Sequence, residues 1–181
     1  MLKTFLYTLV YTLVLSASLG VVAQAHSPSP MSKKESNHAA QVKSLQAKLK
    51  ALQAREAKEE ANKKMVLDFY QQFFGDKDIS AADKYLLPSY IQHNPLAATG
   101  REAVKRFFTP FFANPAIPKT KIDVKRVAAE GDLVWLHIRS KTTGRERAVV
   151  DIFRIQNGKI AEHWDVIQAV PTKSANSNTM F

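Results

Sequence analysis

Val149-Val150-Asp151-Ile152-Phe153-Arg154-Ile155-Gln156-Asn157-Gly158-Lys159-Ile160-Ala161-Glu162-His163-Trp164-Asp165-Val166-Ile167-Gln168 is the stretch that decides the fold. Asn157-Gly158 favours the positive φ angles of a tight turn, so the flanking segments read as two antiparallel strands, about 147–156 and 159–169. Asp151 interrupts an otherwise apolar run. A carboxylate there must be paired, hydrogen-bonded, raised in pKa, or on a solvated face. Register decides what it meets. If Gln156-Asn157-Gly158 is a three-residue loop with a bulge at Gly158, Ile155 pairs with Lys159 and Asp151 lies opposite His163, with Asp165 one step along the same face. If the loop is Asn157-Gly158 alone, Asp151 lies opposite Trp164, and His163 and Asp165 point away. Both registers are open, and a shared face for the three requires the bulged turn.

Two further strands precede this hairpin, about 121–129 and 133–141, joined at Glu130-Gly131-Asp132. Upstream the period is helical. Val66, Phe69, Tyr70, Phe73 and Phe74 fall on one helix face, and Gly75 stands where a helix-ending glycine would. Ser80-Ala81-Ala82-Asp83 opens a short helix with Tyr85 and Leu86 inward, closed by Pro88. Tyr90 to Pro95 reads as extended, because Asn94 precedes proline. Thr99 and Glu102 fit a capping box before a second aromatic stripe of Val104, Phe107, Phe108, Phe111 and Phe112. Pro110 predicts an end or kink near Phe108. Helices followed by a run of antiparallel strands mean an α+β fold.

The rest of the chain divides around this domain. Phe5 to Leu15 is a nearly unbroken apolar run behind Lys3, and Ala23-Gln24-Ala25 offers small residues at a signal-peptidase site. Residues 1–25 therefore read as a signal peptide cleaved after Ala25, a retained anchor being the alternative; either way the domain is exported, and no membrane contact remains after cleavage. Residues 26–61 read as a polar linker to about residue 40 and then a basic helical spacer. In the spacer Val42, Leu45, Leu49 and Leu52 keep coiled-coil spacing for only two heptads. The globular domain is placed at 62–171, and 172–181 reads as a disordered tail. The formal net charge of +10 is spread over spacer and domain, which disfavours a nucleic-acid partner. There is no cysteine, which excludes disulfides, thiolate metal sites and a cysteine nucleophile. No Gly-rich phosphate loop or internal repeat is present, and no histidine pair has the HxH or HxxxH spacing of a metal site, so no metal is expected.

The segment Tyr90-Ile91-Gln92-His93-Asn94-Pro95, taken with the string from Asp151 to Gln168, resembles the SnoaL-like polyketide-cyclase branch of the nuclear transport factor 2-like superfamily. The resembling members are those predicted to catalyse aldol condensation, and the resemblance covers roughly 62–171. It implies a cone of N-terminal helices packed on a curved antiparallel sheet around a pocket. It implies that Asp165 acts as general acid/base without metal or organic cofactor, with Asp151 as a second polar group on the neighbouring strand.

Proton abstraction beside a carbonyl needs a base poised near neutrality, and burial moves a carboxylate that way. The enolate needs a donor, which His163, His93 or His137 could supply. Phe69, Phe73, Phe107, Trp135, Phe153 and Trp164 would wall a site for a small apolar or ring-shaped carbonyl compound, with Asn94 beside His93 at its rim. Each residue also has a plain structural use: the phenylalanines as core, Asp151 paired to an arginine, His93 tying down its loop, His137 as a core histidine. The functional expectations are thus a cofactor-free enzyme of aldol-cyclase or isomerase type, or a non-catalytic module that binds a small ligand or pairs through its sheet, homodimerisation included. A third is a scaffold whose basic helix meets an anionic surface.

Overall fold

A computed structural model describes residues 30–141 and 144–181. The signal-peptide reading and the first residues of the linker lie outside the described residues. Among those described, no helix is long and apolar enough to cross a membrane. Two compact units are distinguished, Met1–Ser44 and Leu45–Phe181. The described side chains of the first unit belong to the opening turns of a helix and are exposed.

Helix α1 runs over Pro30–Tyr70 and passes into a π-helical turn, Gln71–Gly75. The helix therefore begins well inside the segment expected to be linker. Lys, Ala and Gln dominate from residue 33, and these favour helix even without a buried face. Leu45, Leu49 and Leu52 are each more than half exposed, as a solvated spacer requires. The boundary of the packed region lies slightly before Met65: Glu59 accepts the Gly131 N–H at 2.8 Å, and buried Asn62 donates to the Gly131 carbonyl. Deleting residues 33–52 is expected to change the unfolding free energy by less than about 0.5 kcal/mol, whereas a deletion carried through Asn62 lowers it measurably; urea titration of both deletions is the check.

The aromatic stripe is buried as its spacing predicts, at Val66, Phe69, Tyr70 and Phe73. Gly75 does not end the helix by a left-handed cap. It closes the π-turn, with Asp76 N–H bonding the Gln71 carbonyl at 2.8 Å. A Cβ there would meet the Thr120 carbonyl oxygen at 2.7 Å and the Gln71 side chain at 2.2 Å. The glycine is required for close approach, and Gly75→Ala is expected to cost about 1–3 kcal/mol in a urea unfolding titration.

Helix α2 (Ala81–Tyr85) leads directly into strand β1 (Leu86–Gln92), so Pro88 sits within a strand rather than after a helix. Strand β1 lies on the sheet edge, where a missing N–H is tolerated. Helix α3 (Arg101–Ala113) is capped by Gly100 at φ 102°, not by Thr99. The Thr99 hydroxyl instead accepts the Gln92 N–H, and the Gly100 N–H bonds the Tyr90 carbonyl. Pro110 is carried inside α3. Val104, Phe108 and Phe112 face the core, while Phe107 and Phe111 are 44% and 46% exposed.

Strands β2 (Asp123–Glu130), β3 (Leu133–Ser140), β4 (Arg147–Gln156) and β5 (Lys159–Ala169) complete a five-stranded sheet ordered β1-β5-β4-β3-β2. All pairs are antiparallel except β1 with β5, so the expected α+β fold forms with one parallel edge. The core face carries Val134, Leu136, Ile138, Val149, Phe153, Ile155 and Ile160.

The β4–β5 hairpin follows neither register expected from the sequence. Asn157 and Gly158 have φ of 52° and 72°, and Gln156 pairs with Lys159, so the turn has two residues. The bulge lies further along: Ile155 pairs with Ile160, then Arg154 with Glu162, which leaves Ala161 as the extra residue. One inserted residue restores the parity that the turn alone would have reversed. Asp151 therefore faces Asp165, and Phe153 faces His163, on the core side. The expected bulge at Gly158 is corrected to Ala161, where consecutive burial of Ile160 and Ala161 accommodates it.

Candidate functional site

Opposing β strands place two carboxylates side by side, an arrangement that repels unless compensated. Among the described residues no Lys or Arg bonds Asp151 or Asp165. The compensation is neutral donors and one histidine. Asp151, 4% exposed, accepts the Tyr70 hydroxyl at 2.9 Å through Oδ2 and meets His163 Nε2 at 2.9 Å through Oδ1. The His163 ring stacks on Phe153, with centroids 4.7 Å apart. Its Nδ1 lies 3.0 Å from Gln92 Oε1. Asp165 is half-buried, and its two oxygens accept from Asn94 Nδ2 at 2.8 and 2.9 Å.

Each side chain is placed by a local feature of its element. Tyr70 ends α1 at the π-turn, the kind of widened turn that recurs at functional sites. Gln92 ends β1. Asn94 is turned back by its own side chain, whose Oδ1 accepts the Leu96 N–H. The phenol of Tyr70 is pushed well up, first by burial and then by the Asp151 charge. The Tyr90 phenol is also raised, by burial and then by Asp151 and Asp165. Both phenols are thereby kept protonated; the Tyr70 hydroxyl donates to Asp151, whereas the Tyr90 oxygen accepts from Gln92 Nε2.

Asp151, His163, Asp165, Asn94 and Phe153 are brought together as the sequence suggested. Phe69 and Phe73 are core behind them. Other expected site residues lie elsewhere. Trp135 and His137 alternate with buried Val134, Leu136 and Ile138 and so occupy the outer face of β3. His137 bonds Arg126 and stacks on Phe181 with centroids 5.7 Å apart, so the segment expected to be a disordered tail returns to the sheet. Trp164 is also on the outer face and stacks on His93 at 4.3 Å. His93 bonds Glu162 and ties down its loop rather than lining the site. Phe107 is exposed on α3 and forms no wall. Tyr70 and Gln92 were not singled out from sequence; the only available signals were a hydroxyl within an aromatic stripe and an amide at the end of a strand.

The outer cluster gives a pH prediction. The Glu162 carboxyl is held below its usual range, chiefly by the hydrogen bond to His93 and then by that to Arg154. A depressed native value means that this contribution is present above the ordinary value of 4.5 and is lost as pH falls below it. Glu162→Gln should flatten the acid limb of a plot of urea midpoint against pH.

Chemically, the inner cluster is a half-exposed carboxylate beside a buried carboxylate–imidazole pair. The ligating atoms of Asp151, His163 and Asp165 lie within 4.8 Å of one another, compact enough to offer one nitrogen and two oxygens to a divalent cation. In this structure His163 Nε2 and Asp151 Oδ1 meet each other, Asp151 Oδ2 meets the Tyr70 hydroxyl, and Asp165 meets the Asn94 amide.

Comparison with known proteins gives the family. No curated protein sequence matches the chain. Among solved structures, an NTF-2 like protein of unknown function from Burkholderia xenovorans LB400 is 19% identical, covering 67% of this chain and 91% of that one, with a TM-score of 0.53. An LEH-like epoxide hydrolase of M. tuberculosis is 14% identical, covering 61% of this chain and 85% of that one, with a TM-score of 0.52. At such identities the likeness is one of fold. The model of the SnoaL-like domain matches residues 66–163, from the first core residue of the aromatic stripe to the histidine of the inner cluster, and the chain belongs to that family.

Proposed function

We propose that the protein is an acid/base enzyme acting, without metal or organic cofactor, on a small activated carbonyl compound, by aldol-type cyclisation or isomerisation. One observation carries this reading. Asp165 is the half-exposed member of the cluster, and a neutral amide rather than a cation holds it, beside the buried His163–Asp151 pair. An amide donor on these two oxygens leaves carboxylate lone pairs open to a proton, which a bidentate arginine would occupy. In this scheme Asp165 removes the proton next to the carbonyl, and the His163–Asp151 pair supplies a proton or a hydrogen bond to the oxygen that becomes negative. Family membership supports the scheme, and the LEH-like epoxide hydrolase lends the fold a hydrolytic precedent rather than a substrate. The apolar run at Phe5 to Leu15 with Ala23-Gln24-Ala25 supports work outside the cytoplasm, periplasmic or secreted, after removal of a signal peptide.

The test is proton exchange in D2O. Ring-shaped ketones and 1,3-dicarbonyl compounds incubated with the protein should lose their α-proton NMR signals faster than in buffer. No acceleration across such a panel would leave the non-catalytic reading. That second reading has an observation of its own: a groove of about 340 Å³ on the outer face, lined by Val127, Trp135, His137 and Val150, which would suit a small ligand or a second copy. N-terminal sequencing of protein from its host checks the export proposal, with His26 at the mature terminus as the expected result and an intact Met1 in a membrane fraction as the contrary one.

A further inference from the structure

The orientation of the Gln92 amide is fixed by a group that can only donate. The backbone N–H of Asn94 lies 3.0 Å from one end of that amide, so that end is the oxygen. The other end, Nε2, donates to the Tyr90 hydroxyl oxygen at 3.1 Å. The same Gln92 oxygen lies 3.0 Å from His163 Nδ1. Two acceptors cannot bond, so Nδ1 must carry a hydrogen. Only Nε2 of that ring remains variable, and it faces Asp151 Oδ1 at 2.9 Å. The second oxygen of Asp151 is occupied by the Tyr70 hydroxyl, which burial keeps protonated. The line Tyr70–Asp151–His163–Gln92–Tyr90 therefore holds a single movable proton, between His163 Nε2 and Asp151 Oδ1.

We propose that Gln92 is a positioning residue that locks His163 in its Nδ1–H form, so that the His163–Asp151 edge carries one transferable proton. The ring would otherwise be free to present Nε2–H to the Asp151 carboxylate with Nδ1 bare, a state with nothing to give except from an already neutral ring. With Nδ1 locked, the edge is either an imidazolium facing a carboxylate or a neutral ring facing a carboxylic acid. Each can release one proton from Nε2 or Oδ1, leaving the electron pair on that atom. Among the described residues, the charged and titratable groups facing the pair are Asp165 on β5, Tyr70 on α1 and Tyr90 on β1. Resting on the acid/base reading, the lock balances the enolisation step: Asp165 takes the proton from carbon, the C–H pair moves into the enol, the edge gives its proton to the oxygen, and the net charge of the cluster is unchanged. In an isomerisation the return of both protons, to a second carbon and to the edge, closes the cycle.

Ring-nitrogen NMR of 15N-histidine protein tests the lock without any substrate. His163 is assigned by loss of its signals in His163→Gln. The wild type should show Nδ1 as a protonated nitrogen at every pH at which the protein is folded. Gln92→Leu removes the acceptor and should move the hydrogen, so that Nδ1 becomes the bare nitrogen at neutral pH. Gln92→Glu keeps an oxygen there and should keep Nδ1–H. A bare Nδ1 in the wild type overturns the proposal, even if Gln92→Leu fails to fold. So does a folded Gln92→Leu protein that retains Nδ1–H. Where the protein shows no α-proton exchange, the acid/base reading falls while the nitrogen assignment still decides the lock.

Discussion

Asp165→Asn is expected to reduce turnover of a carbonyl substrate by about two to four orders of magnitude, the usual contribution of a positioned general base. The amide has the shape of the carboxylate and no basicity. Asn94 now donates to both carboxylate oxygens, and after substitution it still meets one oxygen. The fold should survive because Asp165 is half-buried and lies toward the end of β5, where Val166 and Ile167 are already exposed. Steady-state kinetics read the effect, with a melting curve as the control. Equal activity in Asp165→Asn would remove Asp165 from the chemistry. A loss confined to KM would make it a binding group, since a base acting in the transition state must lower kcat.

Phe73→Ala should be the most damaging of the core substitutions, at about 3–5 kcal/mol. Phe73 is fully buried, with rings of Phe69, Phe74, Phe108 and Phe112 all within 5.3 Å between centroids. It sits in the π-turn and joins the end of α1 to α3, so removal opens a cavity that two helices would have to move to fill. A domain of ordinary stability has only about 5–15 kcal/mol to lose. Urea unfolding should show a lower midpoint with an unchanged slope. Phe107→Ala on the exposed side of α3 is the comparison, expected to lie within about 0.5 kcal/mol of wild type. Similar losses at both positions would mean that α3 packs by its other face.

The class of fold was legible because the two periods in this chain are clean. The stripe from Val66 to Phe73 reads as one helix face and Asn157-Gly158 as a turn between two strands, and both form, although the register beyond the turn stayed open. What escaped the sequence was whatever depended on long-range geometry. The Ala161 bulge has no composition signal, because alanine at an inserted position looks like any strand residue. Yet that residue determines whether Asp151 faces Asp165 or Trp164. Trp135 and His137 share one face of β3, but only the packing of the core against Val134, Leu136 and Ile138 makes that face the outer one, and the expectation of a wall and a donor there fails for that reason. Capping residues misled for a similar reason: Thr99 is a good cap in isolation, and here its hydroxyl is used by the Gln92 N–H. The site was half legible. Its acidic and imidazole groups stand out by type, whereas Tyr70 reads as one more aromatic of the core and Gln92 as an ordinary polar residue.

The central claim is that chemistry belongs to the inner face of the sheet, at Asp165 and the His163–Asp151 edge. A crystal structure with a planar phenolate, an unreactive mimic of an enolate, tests it most directly. The claim predicts the phenolate oxygen within about 3 Å of His163 or Asp151, with ring carbons over the Asp165 carboxylate. A phenolate bound only in the outer groove beside Trp135 and His137, with Asp165 still closed by Asn94 alone, would contradict it.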